Sequence, residues 1–119
     1  MIAALAPYDP FLAFYLKGSQ TDYGVAELSI ALAKQIRDTI AGAAKKQKIR
    51  LADGFKAFET TRFTEFTALP DGRSVPIAVA RICQWTFMCA PAPQGPDIHP
   101  NDDGYGVLGI EFARVLRLK

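Results

Sequence analysis

Gly95-Pro96-Asp97-Ile98-His99-Pro100-Asn101-Asp102-Asp103-Gly104-Tyr105 holds the only histidine of a 119-residue chain. Two prolines bracket it, so His99 is expected in a stiff loop that runs directly into a helix. An imidazole titrates near neutrality, and one held rigidly ahead of a helix is suited to general-base work. The bland alternative is a loop histidine that only hydrogen-bonds its surroundings. The helix after it is expected over about Asp102–Leu118. Asn101 suits its cap, and Asp102 and Asp103 suit the positive end of its dipole. Leu108, Phe112 and Val115, joined by Tyr105 and Leu116, recur as its apolar stripe.

Upstream, Val25 to Lys46 predicts the longest helix, with Leu28, Leu32, Ile36, Thr39, Ile40 and Ala43 on one apolar face. Asp22 is its expected cap, after a polar, turn-like stretch from Lys17 to Gly24. Met1 to Ala6 is an apolar run stopped by Pro7, which suits a short strand, although its alanines also suit a helix. Tyr8-Asp9-Pro10 reads as a turn, with Phe11 to Leu16 a short aromatic-rich helix or loop after it. Lys48 to Asp53 reads as a strand. Phe55, Phe58, Phe63 and Phe66 read as core aromatics, Leu69 to Arg73 as a turn. Val75 to Met88 reads as a helix, with Val79, Ile82 and Trp85 at helical spacing and Pro76 in its first turn.

Half of the residues are hydrophobic and 22% are charged, the balance of one ordered globular domain spanning residues 1–119. A net charge of +2 offers no argument for a nucleic-acid partner. The basic run Lys45, Lys46, Lys48 and Arg50 falls where a helix end favours solvated cations. No stretch is long and apolar enough for a membrane anchor, and the first residues lack the basic region and length of a signal peptide. With one histidine in the chain, Cys83 and Cys89 do not suggest a metal site. They read as a local disulfide, or as two buried thiols used as small hydrophobes.

Taken in order, several pieces form a set. They are Tyr8-Asp9-Pro10-Phe11, the long helix, a strand ending Ala52-Asp53, Cys83 and Cys89 around Trp85, His99-Pro100-Asn101, and Gly104-Tyr105 with the last helix. This set resembles the C-terminal half of the SGNH/GDSL serine hydrolases, the lipase and esterase superfamily, in its secreted actinobacterial form. The resemblance implies an α/β fold: part of a three-layer α/β/α, flavodoxin-like sandwich. Met1–Ala6 and Lys48–Asp53 would be parallel strands joined by the crossover helix, with further helices C-terminal. It also implies a Cys83–Cys89 disulfide, a secreted location, and cleavage of ester or lipid substrates without metal or other cofactor. His99 would be the general base.

The chain departs from that family pattern in two places. It contains neither Gly-Asp-Ser nor a Gly-x-Ser-x-Gly elbow. The family acid most often lies three residues before the histidine, where this chain has Pro96. Asp97 is two residues before, and extended backbone would point it to the opposite face. Asp97 therefore orients His99 only if the loop bends. Its plainer role is to bond nearby N–H groups. Ser19, in Gly18-Ser19-Gln20, is the nearest approach to a nucleophile turn, while Ser29 and Ser74 read as ordinary. Asp9 and Asp53 follow the strands at the edge where open α/β sheets bind ligands. Two functions follow as expectations: a carboxylic ester hydrolase using His99, or a fragment without its nucleophile. Such a fragment would self-associate as a homo-oligomer through exposed strand edges, or need a complementing N-terminal half.

Overall fold

Strands β1 (Ala3–Ala6) and β2 (Arg50–Asp53) pair in parallel, Ala3 opposite Arg50 and Ala6 opposite Asp53, in a computed structural model that describes residues 1–117. Helix α1 (Gln20–Lys46) is the crossover between them. The strand–helix–strand order is thus as expected, and both α1 and the last helix, α4 (Asp102–Leu116), pack on the sheet. The expected end of α4 at Leu118 lies outside the described residues.

Helix α1 starts earlier than its apolar pattern suggested. The Ser19 hydroxyl accepts from the Asp22 N–H at 3.0 Å, and the Asp22 carboxylate accepts from the Ser19 N–H at 3.3 Å. This reciprocal pair is a capping box, so Ser19 is the cap and Asp22 the third helical residue. Most of the stretch read as a turn is therefore helical. The buried face of α1 is also not the expected one. Leu28, Leu32 and Ile36 stay exposed, while Ala26, Ser29 and Ala44 are buried. Both series have helical spacing and lie on neighbouring faces. The face of small residues lets the helix lie close against a sheet half of whose residues are alanine, a choice that periodicity cannot express.

A 3₁₀ helix (Pro10–Lys17) follows β1, and its N-terminal cap is Asp9, which accepts from the Phe11 N–H at 3.0 Å. It ends at Gly18, whose φ of +87° suits glycine. After β2 comes the short helix α2 (Gly54–Ala57). Strands β3 (Phe66–Ala68) and β4 (Ser74–Pro76) then form an antiparallel hairpin around the Leu69–Arg73 turn. The hairpin corrects the reading of Val75 and Pro76 as helical. Pro76 keeps an extended ψ of 143°, so helix α3 (Ile77–Trp85) begins after it. Helix α3 stops at Trp85 rather than Met88, because Thr86 is extended and its hydroxyl bonds back to the Ile82 carbonyl at 2.6 Å.

Leu12, Phe58, Val75, Val79, Ile82 and Leu108 form the centre of the core. Tyr8 stacks on Phe58 at 4.3 Å, and Trp85 meets Phe58 edge-on at 5.2 Å. Phe66 and Tyr105, expected inside, are 55% and 58% exposed. Phe66 lies on the open hairpin, and Tyr105 flanks the loop before α4. The protein is thus a compact α/β chain with a small parallel sheet and a separate hairpin.

The start of α4 is set by a close approach. A Cβ on Gly104 would lie 1.9 Å from the Trp85 carbonyl oxygen, whereas one on Gly106 would meet nothing within 4 Å. Gly104→Ala is expected to destabilise the fold by roughly 3 kcal/mol or more through overpacking. Gly106→Ala should stabilise it by up to about 1 kcal/mol through helix propensity. Denaturant melts of the two variants, side by side, check the pair.

Candidate active site around His99

Backbone hydrogen bonds between two distant segments carry the histidine loop. Thr86 and Pro100 form an antiparallel bridge. The Phe87 N–H donates to the His99 carbonyl at 3.1 Å, and the Asp97 N–H to the Phe87 carbonyl at 3.2 Å. The Asn101 N–H donates to the Trp85 carbonyl at 3.0 Å, and the Asn101 side-chain amide to the Gln84 carbonyl at 2.9 Å. Asn101 also caps α4 through the Gly104 N–H, as its position suggested. The supporting segment is itself closed by the Cys83–Cys89 disulfide. Of the two readings of the cysteines, the disulfide is the one found.

Within this frame the loop bends as an Asx turn. One oxygen of Asp97 accepts from the His99 N–H at 2.8 Å, and the same oxygen lies 2.5 Å from His99 Nδ1. Capping the local N–H and holding the ring are therefore one geometry, and extended alternation does not apply to Asp97. The backbone N–H of His99 and then its ring hold the Asp97 carboxyl below the usual carboxylate range. An ionised Asp97 only accepts, so Nδ1 carries the proton and Nε2 is left as the basic nitrogen. The His99 side chain is 67% exposed, and that of Asp97 44%.

Tyr8 was read as part of a turn, and its role here was missed. Its hydroxyl donates to the Ile98 carbonyl at 2.6 Å across 90 residues. Burial, with the neighbouring Tyr105 and Asp97, pushes its pKa up to about 12, so it stays a neutral donor. The only local hint was an aromatic residue with a polar tip beside Pro7, and nothing in the sequence links it to Ile98. Next to the loop lies a groove of about 540 Å³ lined by Phe14, Leu16, Met88, Pro96 and Ile98, with Lys17 and Arg73 also on its wall.

The other candidates are not gathered at His99. The chain has three serines, and none among them hydrogen-bonds the histidine. Ser19 donates to Asp22 at 2.6 Å in the capping box. Ser29 is buried and donates to Asp9 at 2.6 Å, and Ser74 lies in β4. Asp53 caps α2 and pairs with Arg37 at 2.6 Å. Among the described residues, no group of three His, Cys, Asp or Glu side chains is placed to hold a metal ion, and no helix is long and apolar enough to cross a membrane.

Asp9 is 2% exposed and bonded to Ser29 and Phe11. Burial raises its pKa, against the lowering by those two hydrogen bonds. A carboxyl whose folded pKa is raised contributes stability at low pH that is lost as pH rises through the folded value. Asp9→Asn keeps the shape and removes the charge. Relative to the native chain, the variant should gain stability as pH rises from below 4 toward neutrality, and denaturant melts across that range check the sign. Tyr8→Phe keeps the stack on Phe58 but removes the donor to Ile98. It is expected to cost about 1 kcal/mol and to speed amide exchange around His99, measurable by NMR. No family model, no curated protein and no solved structure matches the chain.

Proposed function

We propose that the chain carries the general-base side of a serine-type carboxylic ester hydrolase. The α/β unit would be the C-terminal half of an SGNH-like sandwich. The observation that carries this reading is the 2.5 Å contact between Asp97 and His99 Nδ1, which leaves Nε2 free at the surface. A general base must have one nitrogen oriented by an acceptor and the other open to the proton it takes. Asp97 and His99 meet that requirement in a loop braced from Trp85, Phe87 and Tyr8.

In this mechanism a serine hydroxyl attacks the ester carbonyl while its proton passes to Nε2. Asp97 stabilises the imidazolium, which then protonates the departing alkoxide, and water releases the acyl group by the reverse use of His99. The apolar groove beside Pro96 and Ile98 suits an acyl chain. None of Ser19, Ser29 and Ser74 hydrogen-bonds the dyad, so the nucleophile would be brought onto its exposed face by a second copy or a complementing segment. Such a cover would also exclude water from the dyad, which strengthens its electrostatics. The disulfide fits an oxidising, extracellular setting.

The test combines fluorophosphonate labelling, read by intact mass, with hydrolysis of a short-chain p-nitrophenyl ester by the concentrated chain. The expected result is a single serine adduct that is lost in His99→Ala. Asp97→Asn should lower kcat at least tenfold with KM unchanged, since it would lose the oriented tautomer. A folded chain that takes no adduct, and whose ester turnover is the same in His99→Ala, overturns the assignment.

A further inference from the structure

Two carboxylates among the described residues are buried, and they differ in what balances them. Asp53, 7% exposed, pairs with Arg37 at 2.6 Å. Asp9, 2% exposed, has only neutral partners: the Phe11 N–H at 3.0 Å and the Ser29 hydroxyl at 2.6 Å. A buried charge is ordinarily paired or lost, because an unpaired ion is costly to take out of water. Capping the 3₁₀ helix does not require that charge, since Asn or Ser caps a helix as well. An ionised carboxylate offers about four acceptor sites, and the two hydrogen bonds leave some of them open.

Asp9 also lines a groove of about 290 Å³ beside α1. Pro10, Phe11, Leu32 and Ile36 give it apolar walls, and the last three are exposed. Ser29 shares the lining with Asp9, and no Lys, Arg or His belongs to it. Tyr8 and Phe11 add aromatic side chains, which suit a cation. The groove is at the small end for ligand sites, the size of one ring on a short stem rather than a peptide. Its charge selects among such molecules. Asp9 repels an anion, and a neutral molecule leaves the carboxyl without a counter-ion. An ammonium on an apolar body answers both features of the groove, with N–H groups for the open acceptor sites and carbon for Leu32 and Ile36. It would also offset the burial that raises the Asp9 pKa.

We propose that this groove binds a small primary amine, its ammonium on Asp9 and its apolar body against Phe11, Leu32 and Ile36. The groove shares no lining residue with the one beside Pro96 and Ile98, so the site is independent of ester hydrolysis at His99.

The probes are three molecules that share a ring and a short stem: 2-phenylethylamine, 2-phenylethanol and phenylacetate. Each is titrated at neutral pH into the native chain, with amide and methyl NMR spectra as the readout. The amine is expected to shift the Leu32 and Ile36 methyl signals and the Phe11 amide in a saturable way. It should bind about tenfold more tightly than the alcohol, the gain from one charge-assisted hydrogen bond. Phenylacetate should bind more weakly than either. Asp9→Asn keeps the cap and removes the charge, so it should bring the amine down to the affinity of the alcohol. Leu32→Ala, at an exposed position, should weaken amine and alcohol alike by about threefold or more. The ligand series and Leu32→Ala decide the matter even if Asp9→Asn does not fold. No saturable shift with the amine through the millimolar range, equal affinity for amine and alcohol, an amine indifferent to Asp9→Asn, or shifts that fall away from Phe11, Leu32 and Ile36 would each overturn the proposal.

Discussion

Residues 85–87 and 97–101 hold one another by backbone hydrogen bonds, and most of what is distinctive in this molecule depends on that pairing. It sets the height of His99 above the core, the entry of Asn101 into α4, and the close approach of Gly104 to the Trp85 carbonyl. The segment on one side is closed by the disulfide. On the other side, the bend at Asp97 ties the loop to itself. Trp85 then joins the pairing to the core through Phe58, and Phe58 through Tyr8 returns to the loop at Ile98. A polar, proline-rich loop with few apolar contacts of its own is thereby anchored from both ends of the chain.

The buried and half-buried charges serve the frame. Asp9 caps the 3₁₀ helix while holding Ser29, and Asp53 caps α2 while holding Arg37. Glu59 lies between Arg62 and Arg81, which keep its carboxyl below the usual range, Arg81 first. Each of these groups satisfies a backbone donor or an opposite charge, as burial demands. Asp97 and His99 differ from them in being exposed and in leaving one strong acceptor, Nε2, without a protein partner among the described residues.

Two surfaces of the chain are thus open: the dyad, and the apolar stripe of α1. Water around the exposed Asp97–His99 pair screens the charge that orients the ring. An apolar stripe in water costs free energy in proportion to its area.

Local rules were legible in the sequence. Asn101 ahead of Asp102 and Asp103, the Leu69–Arg73 turn, and the strand–helix–strand order all depend on neighbours within a few residues, where turn and cap chemistry acts alone. The histidine loop was legible for the same reason, as two prolines around one imidazole. Other features required the tertiary structure. Two stripes of α1 had equal periodicity, and packing against the 3₁₀ helix and the two strands chose the one with small side chains. The bond from Tyr8 to Ile98 and the bridge from Thr86 to Pro100 join residues far apart in sequence, and neither carries a local mark. The direction of Asp97 depended on whether the loop turned. That turn is held by Phe87, a residue whose place beside the loop only the folded chain decides.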